Sequence, residues 1–411
     1  MQKAQTYAIM RATECKGEIA MNGYAVTIRR ELHMYPEVGF DLARTLALLR
    51  RELDAIGVDY TEKYGKSSIV ATVNPEKTSF TIGIRADIDA LPIQEANDVP
   101  YRSQNEGKMH ACGHDAHTAI ALATVKRLFE MRREINCRVK VMFQAAEEYS
   151  TSGARLMVED GVMQDVDCSI ALHCDPNFDA GTVAVKDGAQ GAISDGFRLV
   201  FYGKSTHAAA QQNGVDAIMM AVRAYTDLEL MIAKETPARE PIIFHIGAIH
   251  GGITNNVLAD RCEMFGTLRT YREELAEHLL ERVRTICEAV AASANGRFEY
   301  VSVKHYPNVC NDETVTACMR KTLEKTLGSE RVMELSRGMI GEDYSYMTIE
   351  RPGCMFRLGV RNEARGITSS LHQSSFDIDE SALDVGVDAF VQFVLDHMNG
   401  IEGLPKEGHR A

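Results

Sequence analysis

Hydrophobic positions along the chain change their period several times, which divides it into helical and extended segments. In the first 190 residues, stretches with apolar residues three or four apart alternate with short continuous apolar runs. The first pattern favours amphipathic helices and the second favours buried strands. The predicted helices are Val26–Met34, Leu42–Ile56, Asp115–Arg133 and Ala154–Glu159. The predicted strands are Ser68–Val73, Phe80–Ile84, Arg138–Phe143 and Cys168–Leu172. This alternation predicts an α/β fold with a mainly parallel sheet covered by helices.

A different pattern begins near Ile193, where the predicted elements follow the order β-α-β-β-α-β. The six elements are Asp195–Tyr202, Val215–Lys234, Ile242–Ile249, Cys262–Thr270, Glu273–Ala294 and Phe298–Lys304. This order is typical of a ferredoxin-like α+β unit and needs no partner segment from the flanks. We therefore interpret residues 191–305 as an inserted domain, and residues 1–190 with 306–411 as one discontinuous domain. The chain closes with a predicted helix at Ser381–Met398.

Length and charge narrow the class of protein. The chain has 411 residues, beyond the size at which a single core stops growing, so we expect two or three domains. It carries 45 Lys and Arg against 58 Asp and Glu, a net charge of −13. This charge argues against nucleic acid or an anionic membrane as the partner, because either would be repelled. A soluble acidic enzyme that acts on a small molecule fits better.

The cysteines and the first residues bear on the cellular compartment. The chain has ten cysteines and no Cys-x-x-Cys pair, and residues 1–20 lack the apolar core of an export signal. Several cysteines lie in apolar segments, where a reduced thiol acts as a small core side chain. No apolar run approaches the roughly 18 residues that a membrane span needs. We therefore expect a cytoplasmic protein without disulfides.

The highest density of metal-ligating side chains lies at residues 109–117, Met-His-Ala-Cys-Gly-His-Asp-Ala-His. Thiolate, imidazole and carboxylate together suit an ion such as zinc or manganese. Side chains that could join them follow other predicted strands or lie in a later loop. The candidates are Glu147, Glu148, His173 and His372, and Asp87 and Asp89 also follow a predicted strand. Because open parallel sheets bind ligands at the carboxyl ends of their strands, we expect a site at that edge.

Further motifs extend this pattern along nearly the whole chain. They are 29–33 (Arg-Arg-Glu-Leu-His), 36–37, 85–92 (Arg-Ala-Asp-Ile-Asp-Ala-Leu-Pro), 109–115, 147–148, 207–209, 251–252, 256–257, 266–269, 341–343, 372 and 376–377. Their order resembles the amidohydrolase branch of the dimetal aminoacylase and carboxypeptidase superfamily. That branch includes hippurate hydrolases, plant indole-acetyl-amino-acid hydrolases and aminobenzoyl-glutamate hydrolases. Single motifs are weak signals, but their shared order is strong evidence.

The resemblance implies a pair of divalent metal ions in each subunit. Both ions would be bridged by the thiolate of Cys112, with His114 and His173 on one ion and Glu148 and His372 on the other. Zinc or manganese are the favoured ions, with cobalt and nickel as alternatives. Such a pair lowers the pKa of bound water and so supplies a nucleophile near neutral pH.

The resemblance also implies roles outside the ligand set. Glu147 would be the general base and acid, and Asp89 would orient a ligating imidazole. The insert would be a lid and dimerisation domain, from which His207 stabilises the oxyanion in the other subunit of a homodimer. Asn256 and Arg269 would bind the free carboxylate of the substrate.

Each of these residues also has an ordinary structural interpretation. A lone buried cysteine or histidine usually serves packing or hydrogen bonding, and acidic pairs such as 147–148 favour helix starts. Arg269 could form a surface salt bridge, and Asn256 could belong to a turn. For His110 and His117, which flank the ligand motif, we favour structural roles.

The combined prediction is a cytoplasmic, homodimeric, dimetal amidohydrolase that cleaves the amide bond of N-acyl or N-aroyl amino acids. One alternative is a dipeptidase or aminoacylase that acts on other small amides. Another, from a different class, is a catalytically silent metal-binding scaffold. The sequence departs from the family pattern at Gln211, where a proline commonly follows the His-Ala-Ala element, so the acyl specificity stays open.

Overall fold

A computed structural model describes residues 23–149, 151–405 and 408, which form two compact units. The first unit contains the residues up to Gln190, Cys310–Ser336 and the residues from Asp343 onward. The second unit contains Gly191–Val309 and Arg337–Glu342. The predicted insert falls within the second unit, and its role as a lid stays a prediction. The interpretation of residues 1–20 lies outside the described residues.

The bounds of the regular elements are as follows. The α-helices are α1 (23–34), α2 (Ala43–Ile56), α3 (His114–Glu130), α4 (Gly153–Glu159), α5 (Ala217–Glu235), α6 (Glu273–Ser293), α7 (Glu313–Leu327), α8 (Ser345–Glu350) and α9 (Ala382–His397). The strands are β1 (Asp59–Thr61), β2 (Ile69–Val73), β3 (Thr81–Asp87), β4 (Arg138–Gln144), β5 (Cys168–Asp179), β6 (Val183–Val185), β7 (Gly188–Ala189), β8 (Ile193–Tyr202), β9 (Ile242–Gly251), β10 (Arg261–Thr270), β11 (Arg297–Tyr306), β12 (Cys310–Asn311), β13 (Val332–Glu334) and β14 (Gly353–Arg361).

The first unit is built on an eight-stranded sheet with the order β1-β2-β4-β3-β5-β14-β6-β13. The four central strands β4, β3, β5 and β14 are parallel to one another, whereas the pairs β1–β2, β2–β4 and β14–β6 are antiparallel. Every residue of β3 is buried, as expected for a parallel strand that is covered on both faces. The predicted α/β class with a mainly parallel sheet is therefore confirmed.

The second unit contains a separate four-stranded antiparallel sheet with the order β11-β8-β10-β9. Along the chain its elements run β8-α5-β9-β10-α6-β11, which is the predicted ferredoxin-like order. Helices α5 and α6 contribute Leu228 and Leu279 to an apolar core on this sheet. The strand β9 forms one edge of the sheet.

One strand of the first unit differs from its prediction in a way that matters for the site. Strand β5 does not end at Leu172 but continues to Asp179. It continues because β14 pairs with it in parallel, from Gly353 beside Ser169 to Arg361 beside Asp179. His173 therefore lies inside a strand, not after one.

Two further observations concern the part of the chain that the structure describes. All of its cysteines are free, and all but Cys318 are buried. None of its helices combines the length and the apolar character that crossing a membrane requires.

Candidate metal centre

The predicted ligands come from separate segments of the first unit that meet at one edge of the large sheet. Cys112 and His114 lie at the start of α3, and Glu148 lies in the loop after β4. His173 lies in β5, and His372 lies in the loop after β14. The strands that precede these loops are parallel neighbours, so their carboxyl ends meet at the same edge.

Gly113 lets the first two ligands turn into the helix. It precedes α3 with φ of 86°, in the left-handed region that favours glycine. A Cβ atom at this position would lie 2.9 Å from the Cβ of Cys174, closer than side chains approach each other. Any larger residue would therefore push Cys112 and His114 away from the strand that carries His173.

Cys112 is shared by two groups of ligands. Its Sγ lies 3.5 Å from Nε2 of His173 and 3.3 Å from Nε2 of His372, which in turn lies 3.0 Å from Oε1 of Glu148. In each group, Cys112 with His114 and His173 or Cys112 with Glu148 and His372, the ligand atoms lie within 4.8 Å of one another. Ligand atoms about 2.0–2.3 Å from one tetrahedral ion are about 3.3–3.8 Å apart. The spacing therefore fits two ions that share a thiolate.

The hydrogen bonds of the imidazoles fix which nitrogen faces the site. The Nδ1 of His114 donates to the main-chain oxygen of Asp89 at 2.8 Å, and the Nδ1 of His173 donates to that of Cys174 at 2.7 Å. In the neutral form of each ring Nε2 then carries the lone pair, the form in which imidazole binds a metal. The Nε2 of His114 is buried and has no hydrogen-bond partner among the described residues. Since such an atom is costly to bury, these residues fit a divalent ion.

The electrostatics of the site couple metal binding to proton release. Burial raises the pKa of Cys112 well above its usual value, and the negative charge of Glu148 adds to this. Burial alone would lower the pKa of His114, but the charges of Asp87 and Cys112 raise it well above its usual value. Burial lowers the pKa of His173, which keeps that ring neutral. Cys112 and His114 would therefore have to release protons in order to serve as metal ligands.

Glu147 lies against the ligands in a tightly held turn. Its carboxylate lies within 4.8 Å of ligand atoms of His114 and Glu148, and the residue is 6% exposed. Ala146 before it has φ of 55°, a strained value for a residue with a side chain. The carboxylate of Asp89 holds this turn, because it accepts the main-chain N–H of Glu147 at 3.0 Å and that of Glu148 at 3.3 Å.

This arrangement changes the predicted contact of Asp89. Its main-chain oxygen, not its carboxylate, receives the hydrogen bond of His114, and the nearest carboxylate oxygen is 3.6 Å from Nδ1. The carboxylate is occupied by the backbone of the Glu147–Glu148 turn. Asp89 thus orients the residues of the site through two different atoms.

Asp87 and His117 lie beside His114 but have partners of their own. The Nδ1 of His117 donates to Asp87 at 2.5 Å, and its Nε2 accepts the main-chain N–H of Cys174 at 2.9 Å. Asp87 also pairs with the fully buried Arg85 at 2.7 Å. The role of Arg85 is not predicted from the sequence, although a charged residue in an otherwise apolar run is a signal for it.

The remaining predicted site residues lie in the second unit. The Nδ1 of His207 accepts the main-chain N–H of Ala209 at 3.0 Å, and the main chain of Ala208 donates to Asn256 at 2.9 Å. The structure thus brings the His207 and Asn256 loops together. Arg269 lies near the other end of β10, where its Nη1 donates to the main-chain oxygen of Met339 at 2.7 Å.

A model described as peptidase family M20/M25/M40 matches residues 83–396. N-acetylcysteine deacetylase of Bacillus subtilis (strain 168) is 32% identical over 372 residues, 90% of this chain and 96% of that protein. N-acetyldiaminopimelate deacetylase of Anoxybacillus flavithermus (strain DSM 21510 / WK1) is 33% identical over 374 residues, again 90% and 96%. A crystal structure of a Bacillus subtilis protein, described as a dinuclear metal-binding peptidase of the M20 family, matches with a TM-score of 0.77. Its sequence identity is 30%, covering 92% of this chain and 98% of that one.

Proposed function

Because the chain belongs to peptidase family M20/M25/M40, we propose that it hydrolyses the amide bond of N-acyl or N-aroyl amino acids. The resemblance to dimetal amidohydrolases is confirmed by the family match, and at this level the protein is a metal-dependent amidohydrolase. The names of two relatives, deacetylases of N-acetylcysteine and N-acetyldiaminopimelate, support an N-acyl amino acid as the substrate. The cytoplasmic location and the choice of zinc or manganese stay predictions.

The observation that carries the proposal is the meeting of two ligand groups at Cys112 with Glu147 beside them. Cys112, His114 and His173 would hold one divalent ion, and Cys112, Glu148 and His372 would hold the other. When bound, the two ions would lower the pKa of a water molecule and polarise the carbonyl of the substrate amide.

Glu147 is proposed to move the proton. It would take a proton from the attacking water and deliver it to the nitrogen of the leaving amine, a contribution of about 10²–10⁴-fold in rate. Its position supports this role, because it is nearly buried and adjoins two ligands. Asp89 would keep the carboxylate in place by holding the main chain of the turn.

The second unit is proposed to supply the groups that bind the rest of the substrate. The Nδ1 of His207 accepts a hydrogen bond, so the neutral ring carries its proton on Nε2, which can donate to an oxyanion. Loss of one such donor costs about 2.7–4 kcal/mol in comparable sites. Arg269 donates one hydrogen bond, from Nη1 to the main-chain oxygen of Met339. A guanidinium has five donors, so the others can bind a carboxylate. Asn256 would assist from the loop beside His207.

A homodimer is the predicted assembly, and two features of the second unit support it. Strand β9 is an edge strand, whose unpaired backbone groups can pair with another copy. Helix α5 exposes large apolar side chains at Met219, Val222 and Leu230. Patches of this kind mark interaction surfaces.

Hydrolysis of acylated and unacylated substrates tests the reaction. We expect the protein loaded with zinc, manganese or cobalt to cleave N-acyl amino acids and to leave unacylated dipeptides nearly untouched. Glu147→Gln should lose about 10²–10⁴-fold in kcat because the general base is gone. The matched control is Glu159→Gln, an exposed carboxylate on α4, which should keep wild-type activity. Wild-type turnover in Glu147→Gln would exclude the proposed base, and faster cleavage of dipeptides would favour the dipeptidase alternative.

Mixing two inactive variants tests whether His207 acts across the dimer. A dimer of one Glu147→Gln subunit and one His207→Ala subunit would keep one complete site if His207 is supplied by the partner. Random exchange of subunits should then restore about a quarter of the wild-type sites. A mixture that stays as inactive as its components would contradict action in trans.

A further inference from the structure

Helix α1 carries two buried cations that the reaction does not use. Arg29 and His33 lie one helical turn apart, in the 29–33 motif, and their side chains are fully buried. A buried guanidinium is costly unless it is paired and hydrogen-bonded. The identity of their partners therefore shows what these residues hold in place.

The guanidinium of Arg29 binds three carboxylates at once. Its Nε donates to Asp115 at 3.0 Å, its Nη2 to Asp377 at 2.6 Å and its Nη1 to Glu380 at 3.1 Å. His33 adds a second contact to Asp115, through Nδ1 at 2.7 Å. Asp377 also accepts the hydroxyl of Tyr101 at 2.8 Å.

These carboxylates belong to two segments that carry metal ligands. Asp115 directly follows His114 in the first turn of α3, and Asp377 lies in the segment that begins with His372. The other nitrogen of His33 faces Glu95 at 3.2 Å, in a loop joined to the second segment. In that loop the main chain of Ala96 donates to Ser374, and the amide of Asn97 donates to Phe376, both at 2.8 Å.

The segment that begins with His372 needs contacts that hold it in place, because the backbone of His372 is strained. His372 has φ of 62°, in the left-handed region, which costs about 1–2 kcal/mol for a residue with a side chain. Its main-chain N–H donates to Ala111 at 2.8 Å, next to Cys112. Its side chain is 51% exposed, so packing around the ring contributes little to holding it.

We propose that Arg29 is a positioning residue that holds segments 112–115 and 372–380 together, so that Cys112 and His372 meet before an ion arrives. The inference rests on the proposed metal centre. Arg29 touches no ligand atom and acts through Asp115 and Asp377. Its effect is on the affinity for metal, not on the chemistry of the amide bond.

A cobalt titration of the metal-free protein tests the proposal without any substrate. Co²⁺ bound by the Cys112 thiolate gives a charge-transfer absorption that reports binding directly. We expect Arg29→Lys to weaken binding at the site of Glu148 and His372 by about 10–100-fold, as for other residues that orient metal ligands. A lysine keeps the charge but cannot reach three carboxylates with a planar fork.

The matched control is Arg50→Lys on α2, which disturbs a bidentate but exposed pair with Glu62. It should bind cobalt like the wild type. In excess cobalt, Arg29→Lys should recover kcat with an unchanged KM, because only occupancy of the site was lost.

Wild-type cobalt affinity in a folded Arg29→Lys protein would overturn the proposal and leave Arg29 a role in stability alone. If Arg29→Lys does not fold, Asp377→Asn removes one contact of the same guanidinium and should weaken cobalt binding in the same direction. An unchanged affinity there would also contradict the proposal. A protein that binds two cobalt ions as expected but hydrolyses no N-acyl amino acid would instead overturn the proposed function.

Discussion

The first unit buries Arg29 and Arg85 completely among carboxylates, whereas the described interior of the second unit is built from aliphatic and aromatic side chains such as Leu228 and Leu279. Among the few buried polar groups of the second unit, Asp195 pairs with a partly exposed histidine, His305, at 2.7 Å. Both units thus fold around sheets covered by helices, but the first buries ion pairs where the second buries mainly apolar side chains.

The comparison shows that the buried side chains of the two units serve different purposes. Replacing a buried ion cluster by apolar side chains of the same shape is often neutral or stabilising, so such clusters are poor evidence for stability. The carboxylates that pair with Arg29 lie next to a predicted metal ligand or in its segment, and Asp87, which pairs with Arg85, lies 3.5 Å from Nε2 of His114. We therefore interpret the charged interior of the first unit as the support of the site and the apolar interior of the second as packing.

Removing one buried cation should have the largest effect on stability. Arg85→Met would leave Asp87 and Asp343 without a guanidinium that binds each of them at 2.7 Å. We expect the free energy of unfolding of the metal-free protein to fall by about 3–5 kcal/mol, measured by urea denaturation. The exposed control Arg50→Met should cost at most about 1 kcal/mol. Equal effects of the two variants would contradict the special cost of the charged interior.

In the second unit we expect the loss of apolar volume, and not the loss of a charge, to destabilise the fold. Leu279 on α6 is fully buried in the apolar core. Leu279→Ala should lower the free energy of unfolding by about 2–5 kcal/mol, whereas Leu279→Met, which keeps the volume, should cost less than about 1.5 kcal/mol. Calorimetry of both variants checks this. If Leu279→Met lost as much stability as Leu279→Ala, a change of shape without a cavity would be enough to destabilise this core, and the expectation would be wrong.

The charged interior should also give the first unit a pH dependence through His33. Burial alone would lower the pKa of His33, but the charge of Asp115 and hydrogen bonds to Asp115 and Glu95 raise it from 6.5 to about 9. The folded state then binds the proton more tightly than the unfolded state. The protonation of His33 therefore contributes about 3 kcal/mol to the free energy of unfolding. This contribution is fully present below pH 6.5 and is lost as the pH rises through about 9.

Urea denaturation across this pH range measures that contribution. The difference in stability between the wild type and His33→Gln should shrink as the pH rises from 6.5 to above 9. The control is Leu279→Met, which removes no titratable group, so its difference from wild type should not change with pH. A constant gap for His33→Gln would mean that its proton contributes nothing to folding.

The smallest effect concerns a carboxylate that holds only main chain. Asp89→Asn keeps the shape but leaves one oxygen to accept the two N–H groups of Glu147 and Glu148. We expect kcat/KM to fall by about 10–100-fold at saturating metal. Asp167→Asn makes the matched change at a carboxylate that accepts the main chain of Thr81, where β3 begins, and should leave activity unaltered. Similar losses in both would assign Asp89 a general structural role.

The sequence predicted those features that depend on local period and on motif order. The spacing of apolar residues predicted the start of α3 to within one residue. The β-α-β-β-α-β order of the second unit was also predicted from the periods of its segments. The five metal ligands followed from the resemblance, and the structure brings them into two groups. Glu147, predicted as the general base, lies beside His114 and Glu148, and its role stays a proposal.

Features that depend on distant partners could not be predicted in this way. Strand β5 extends past Leu172 because β14 pairs with it, and no local pattern contains that pairing. Arg29 meets Asp115 and Glu380, which are 86 and 351 residues away in sequence. The segment 337–342 joins the second unit through contacts such as that between Met339 and Arg269. In each case tertiary contacts, not the propensity of the segment, decide the outcome.

The shared thiolate has a consequence for the order of events during synthesis. Cys112 leaves the ribosome 260 residues before His372, and the loop of His372 follows β14, which lies between β5 and β6. Because His173 lies in the part of β5 that pairs with β14, a growing chain can close neither predicted ligand group before β14 is made. Because contacts between such distant residues close slowly, loading of the proposed metal pair would be a late step in folding.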